Sequence, residues 1–333
     1  MKLSLAWFDR GAVGACVLAA LAVASPAWSA SYHLIDLGKA EAVGIAGTGV
    51  VAGNKLGDKR PMRWNAGRWH ALQEPGNSPG SVAYGINHGG DISGYVATMD
   101  GHRLPAVWLR GTATYATLPL PEGETDGVAS AIANDGRAAG SASGGDCLVW
   151  DASGAVTDIG KPSHTTACHA TAINIDGDVT VNASSRAFVW RHGAFHDIGN
   201  LGGGSALAFA INRHGQVAGS ATDALRIGHA VMHEDGHLVD LGAPDPSWVG
   251  LAATALNDKG VAVGNGWSTN DGVLRAVLFK EGQAFVLNSL ADDLSDWNFE
   301  VASGIANDGT IVGWGTRGLN HKHAFMLVPT GTD

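Results

Sequence analysis

The stretch that decides the fold is Ile211-Asn212-Arg213-His214-Gly215-Gln216-Val217-Ala218-Gly219. An apolar segment ends in Ile-Asn, a glycine follows after two residues, and a second apolar segment carries another glycine four positions on. Asn and Gly tolerate the positive φ of tight hairpin turns, so the string reads as strand, turn, strand. The pattern recurs with its first position at Ile45, Ile86, Ile132, Ile173, Ile211, Leu256 and Ile305. Gly49, Gly90, Gly136, Gly177, Gly215, Gly260 and Gly309 stand four residues later without exception. Gly53, Gly94, Gly140, Gly219, Gly264 and Gly313 stand four further on, and only Val181 breaks that series. Seven matches with one internal spacing mark a repeat protein.

Each unit continues alike. An apolar strand ends in a bulky residue (Trp64, Trp108, Trp150, Trp190, His233, Phe279, Leu327), and in six units a turn glycine follows. A strand of the form Asp-Leu/Ile-Gly comes next, as at Asp158-Ile159-Gly160, Asp197-Ile198-Gly199 and Asp240-Leu241-Gly242. Strands a to d per unit of about 40 to 45 residues match a propeller blade. The third strand is apolar on both faces, as in Ala187-Phe188-Val189-Trp190, which suits a strand packed between layers. The last unit stops at Ala324-Phe325-Met326-Leu327-Val328-Pro329 without a strand d, while Tyr32-His33-Leu34-Ile35-Asp36-Leu37-Gly38 is a strand d with no unit before it. Joining the two closes a ring and pairs what would otherwise be open sheet edges. The expectation is an all-β, seven-bladed propeller with four antiparallel strands per blade, one domain over residues 31–330, with a short tail at 331–333.

Composition agrees. Of 333 residues 48 are glycine, about twice the usual share. That disfavours a helical bundle, because glycine costs about 1 kcal/mol against alanine inside a helix. Half of the glycines beyond the N-terminal segment fall at repeat positions and are read as residues that turn the chain. A net charge of -10 without a basic run argues against nucleic acid as a partner. Residues 1–30 read as a signal peptide: Lys2 and Arg10 precede an apolar run from Gly11 to Ala24, and Ser25 to Ala30 form a small-residue cleavage region. The run is shorter than the roughly 20 residues a membrane span needs, and Val13-Gly14-Ala15-Cys16 lacks the apolar run before its cysteine that lipid attachment requires. The destination is secreted or periplasmic. Cys147 and Cys168 then remain as one disulfide or two buried thiols.

The strings Ala-x-x-Ile-Asn-x-x-Gly-x-x-x-Gly, His323-Ala324-Phe325, His229-Ala230-Val231 and Asp197-Ile198-Gly199-Asn200-Leu201-Gly202-Gly203 resemble the bacterial extracellular repeat of the HAF family over essentially the whole mature chain. The resemblance implies export and a propeller-like fold. It implies no reaction and supplies no catalytic residues.

The residue before the strand-c alanine, or before Pro61 in the first unit, is often basic: Arg60, Arg186, His229, Arg275, His323. These form either a cationic collar for an anionic ligand or pairs with the Asp of strand d, Arg186 with Asp197, His229 with Asp240 and His323 with Asp36. Asp158 instead faces an acidic counterpart, Asp146. Trp64, Trp108, Trp150 and Trp190 hold repeat positions and are expected in the core. Trp248, Trp267, Trp297 and Trp314 occupy matching places in the connections of the last two blades, on one face of the disc, near Asn270, Asp271 and His321. Aromatic plates with convergent polar groups suit a saccharide- or peptide-binding patch; the alternative is that these indoles pack long loops against the disc. Asp176-Gly177-Asp178 lacks the ligand spacing of a calcium loop. A phosphate loop is missing from the sequence, and no metal or cofactor is expected. The carboxylates of Asp292-Asp293 would point to opposite faces of a strand. The function expected is a non-catalytic, monomeric binding or scaffold module for an extracellular glycan or peptide. The alternative is a secreted polysaccharide hydrolase or lyase with its site on the propeller face.

Overall fold

The computed structural model describes residues 31–76, 80–292, 296–319 and 321–331. The expected signal peptide, Asp293, Asn320 and the last two tail residues lie outside the described residues. The protein is a seven-bladed β-propeller. Seven four-stranded antiparallel sheets each run a-b-c-d from the axis outward. In blades one to six the four strands follow one another in the chain. Blade seven takes strands a to c from Trp297–Ile305, Ile311–Arg317 and His321–Pro329, and strand d from Tyr32–Gly38. Register runs from Tyr32 opposite Pro329 to Gly38 opposite Ala324. Strands a of all neighbouring blades touch, blade seven with blade one included, so the ring is closed. No helix among the described residues is long and apolar enough to cross a membrane.

The core is divided among the seams between blades. Leu37, Ala40, Ala42 and Val51 meet Val312, Ala324 and Met326 where blade seven joins blade one. Ala187, Val189 and Ile198 of blade four meet Ala206, Ala208 and Val217 of blade five. Each blade thus buries both faces of its sheet, and the apolar-on-both-sides strand c follows from that. Trp108 and Trp150 are fully buried, and their indole N–H groups donate to Gln73 O and Pro119 O at 2.8 and 2.7 Å. Trp64 and Trp190 are only partly buried against their clusters. Cys147, opening strand c of blade three, is joined by a disulfide to Cys168, just before blade four, with Cα atoms 5.5 Å apart.

The two motif glycines do different work. The first has positive φ in all seven blades, from 76° at Gly260 to 97° at Gly90, and turns the chain as expected. The second does not turn the chain; it sits in extended strand b. In every blade the register of strand a slips by one residue just after an alanine: Ala42, Ala83, Ala129, Ala170, Ala208, Ala253, Ala302. This bulge pushes the preceding carbonyl toward strand b. A Cβ on Gly94, Gly140, Gly219, Gly264 or Gly313 would lie 1.8 to 2.0 Å from that oxygen. Close backbone approach is what demands glycine there, and blade four alone accommodates a side chain, Val181.

Two substitutions follow from this backbone. Gly219→Ala forces Cβ against Leu207 O and is expected to cost about 2–4 kcal/mol in urea unfolding. Glu281, at φ 53° in a two-residue turn with Gly282, adopts a conformation that suits Asn better; Glu281→Asn is expected to gain about 0.5–1 kcal/mol in the same assay.

Candidate functional site

The a-to-b turns of all seven blades converge around the axis on one face of the disc, and the Asn of the motif locks them together. Asn87 Oδ1 accepts the Asp91 N–H at 2.9 Å, closing its own turn. Its Nδ2 donates to Ala133 O at 3.1 Å, in the equivalent turn of blade three. Asn174 reaches Asn212 O at 3.3 Å, Asn212 reaches Asn257 O at 3.1 Å, and Asn257 reaches Ala306 O at 3.1 Å. Where the position is Ala133 or Ala306, an Asn one residue later reaches back. Asn134 Oδ1 accepts the His88 N–H at 2.8 Å, and Asn307 Oδ1 accepts the Asp258 N–H at 2.9 Å. The four motif asparagines are buried, with their side-chain amides bonded to these turns, and they build the rim of the site.

Inside this rim lies a funnel of about 590 Å³. Its walls are the Ile or Leu that ends each strand a. Its lip is formed by the residue two positions after it: Gly47, His88, Asn134, Ile175, Arg213, Asp258 and Asn307. Only Asn occurs twice, in blades three and seven, and no blade repeats its neighbour's choice. On one side Asp258 accepts the Arg213 N–H at 3.2 Å, stands 3.9 Å from the Arg213 Nε, and accepts Asn307 Nδ2 at 2.8 Å. On the other, the His88 imidazole lies over Gly47, where a Cβ would come within 1.8 Å of the ring. The funnel therefore presents a cation, an anion, amides and an imidazole within one opening. Its size falls within the range of small-ligand sites, about 300–1,000 Å³.

The sequence placed its candidate patch on the opposite face, where b-to-c and d-to-a connections emerge. The four indoles are not in loops. Trp248 and Trp297 are the first residues of the long innermost strands of blades six and seven, Trp248–Leu256 and Trp297–Ile305. Both are more than nine-tenths buried. Trp248 donates to Asp245 Oδ2 at 3.2 Å, and Trp297 packs edge-on against His323 and Phe325. Trp314 lies within strand b of blade seven with Lys322 Nζ 3.6 Å above its ring. Trp267 alone of the four is exposed, at 43%, and rests on the backbone of Gly250. Asn270 Nδ2 donates to Ser247 Oγ at 3.1 Å, and His321 is exposed at the start of strand c of blade seven. The structure thus does not bring the four indoles into one open surface. The motif that defines the repeat does not include the lip residues; the signal for them is that the two turn positions before the invariant glycine differ from unit to unit.

The basic residues of strand c resolve into pairs. Arg186 bonds Asp197, His229 Nδ1 lies 2.8 Å from Asp240, and His323 Nδ1 lies 2.9 Å from Asp36. Each Asp also accepts the N–H of the glycine two residues on, at 2.7 to 2.8 Å for Gly38, Gly160, Gly199 and Gly242. Asp158 keeps this turn without a basic partner on strand c, and Asp146 is paired with Lys161 at 2.9 Å. Arg275 turns instead to Asp271, at 3.0 Å.

No protein-family model and no curated protein matches this chain. Solved structures do resemble it. Streptogramin B lyase is 14% identical with a TM-score of 0.59, covering 92% of this chain and 100% of that one. The β-propeller domain of the Trilobed protease from Pyrococcus furiosus is 11% identical with a TM-score of 0.55, covering 91% and 94%. YCF48 bound to D1 peptide is 11% identical with a TM-score of 0.52, covering 91% and 97%. At such identities the likeness is one of fold.

The Asp271 pair generates a pH prediction. Bonds from Arg275 and from the Val273 N–H hold the Asp271 carboxyl down to about 2. A carboxyl depressed in the folded state stabilises fully above its unfolded value of 3.8, and that contribution is lost as pH falls through about 2. Carboxyl NMR titration should place Asp271 there, and Arg275→Ala should return it toward the ordinary range.

Proposed function

We propose that this chain is an exported propeller of the HAF-repeat type that binds a small polar ligand, a peptide segment or saccharide, in its axial funnel without transforming it. The observation that carries the reading is the lip. The turn glycine is kept in all seven blades and the locking Asn in four, while the position facing the axis changes from blade to blade and mixes Arg213, Asp258, His88 and amides. A scaffold alone has no use for that asymmetry, whereas a ligand with donors and acceptors at fixed places does. One solved neighbour of the same fold is a peptide complex, which supports a peptide as ligand. Export is supported by the Cys147–Cys168 disulfide, since such bonds persist in oxidising compartments. The catalytic alternative would use His88, whose imidazole stands at the funnel, as a general base.

The test is a glycan and peptide binding screen on the mature protein, with turnover followed in the same wells and the mature N-terminus sequenced. Arg213→Ala and Asp258→Asn are expected to weaken the selected ligand by about tenfold or more, the scale of one lost charge-assisted bond, with melting temperature little changed. Loss in Trp267→Ala but not in Arg213→Ala would move the ligand to the opposite face. Turnover abolished by His88→Ala would make the protein an enzyme.

A further inference from the structure

Strand c of each blade sends one residue into the seam with the next blade. In blades two to seven it is Val107, Val149, Val189, Met232, Leu278 and Met326, each paired at the same register with strand b. In blade one it is Arg63, opposite Ala52. The side chain is 8% exposed. Its Nη1 donates to Thr112 O at 2.5 Å, and its Nη2 to Leu109 O at 3.1 Å and Gly90 O at 3.3 Å. Its Nε is buried with no hydrogen-bond partner among the described residues. These acceptors are neutral carbonyls. The nearest acid that acts on it, Asp91, is committed to Asn87 Nδ2 at 3.0 Å and to the Arg110 N–H at 2.7 Å. A buried cation without a paired anion is costly, and six apolar equivalents show that the seam packs without one.

Arg63 also lines a cleft of about 510 Å³ between blades one and two, on the same face as the funnel. Arg110 and His70 line it with exposed side chains, together with Asn65 and Thr112. None of its lining residues is acidic, although the chain carries a net charge of -10. Three basic side chains converge on a concave, partly desolvated space, an arrangement that attracts anions. We propose that this cleft is an anion site, separate from the axial funnel, that takes the carboxylate, sulfate or phosphate group of a small ligand. Arg63 supplies the buried charge, and Arg110 closes on the oxyanion with directed N–H bonds. The inference stands independently of what the funnel holds.

Inorganic phosphate, sulfate and galacturonate, titrated separately into the full chain at constant ionic strength with chloride as reference, test it by calorimetry and by melting temperature. At least one of the three is expected to bind saturably and raise the melting temperature beyond chloride, and the three arms tell the oxyanions apart. Arg63→Met installs the residue that blades five and seven use, and is expected to keep the fold while weakening the oxyanion by about tenfold or more. Arg110→Ala, at an exposed position, should weaken it similarly and decides the matter alone if Arg63→Met does not fold. Oxyanions that act no differently from chloride overturn the proposal, as does wild-type binding in Arg110→Ala.

Discussion

The ring rests on one antiparallel seam, the pairing of Tyr32–Gly38 with His321–Pro329. Every other blade is made from consecutive strands and would form locally. Only this pairing joins residues nearly three hundred positions apart, and only it turns a row of blades into a circle. Because the core lies between blades, an unclosed row would leave Leu37, Ala40 and Val312 without their partners. Closure also fixes the axis, since the innermost strands can converge on a funnel only when each has a neighbour on both sides. The site's geometry is in that sense a consequence of where the first strand goes.

Much of this was legible because the residues responsible act within one turn or across one strand pair. Asn after the Ile of strand a closes a turn with its own carbonyl group, and Asp before Leu-Gly does the same at the end of strand d. Such bonds need fixed spacing, and fixed spacing shows in a sequence. The partners Arg186–Asp197, His229–Asp240 and His323–Asp36 were predictable for the same reason: once strands c and d are aligned, their ends must meet. The second arm of each Asn, which reaches the next blade's carbonyl, has no local signature and came only with the ring.

What stayed hidden depended on strand length and on backbone position. The innermost strands of blades five to seven run nine or ten residues, against five or six in blades one to four. Trp248 and Trp297, which read as loop residues at a fixed distance from the motif, therefore begin strands and point into the core. The bulge that makes the second glycine obligatory is a one-residue slip, invisible to a pattern that counts along one strand. Arg63 is a different case. It stands in a row of Val, Met and Leu, and only knowledge of which face of strand c is buried makes its presence costly.

The Asp-Leu/Ile-Gly turn bears on how copies of the protein behave toward one another. Each blade ends in an outer strand with a free edge, seven around the circumference, and a free edge invites pairing with a second chain. Six of these outer strands are only three to five residues long. Where the motif is present, the Asp carboxylate draws the following glycine N–H inward and the backbone leaves the sheet direction at once. In blades three, four and five this turn closes an outer strand of only four or five residues, a short edge for an incoming strand to pair with. Short outer edges of this kind are one of the ways in which sheet-rich proteins limit edge-to-edge pairing between copies.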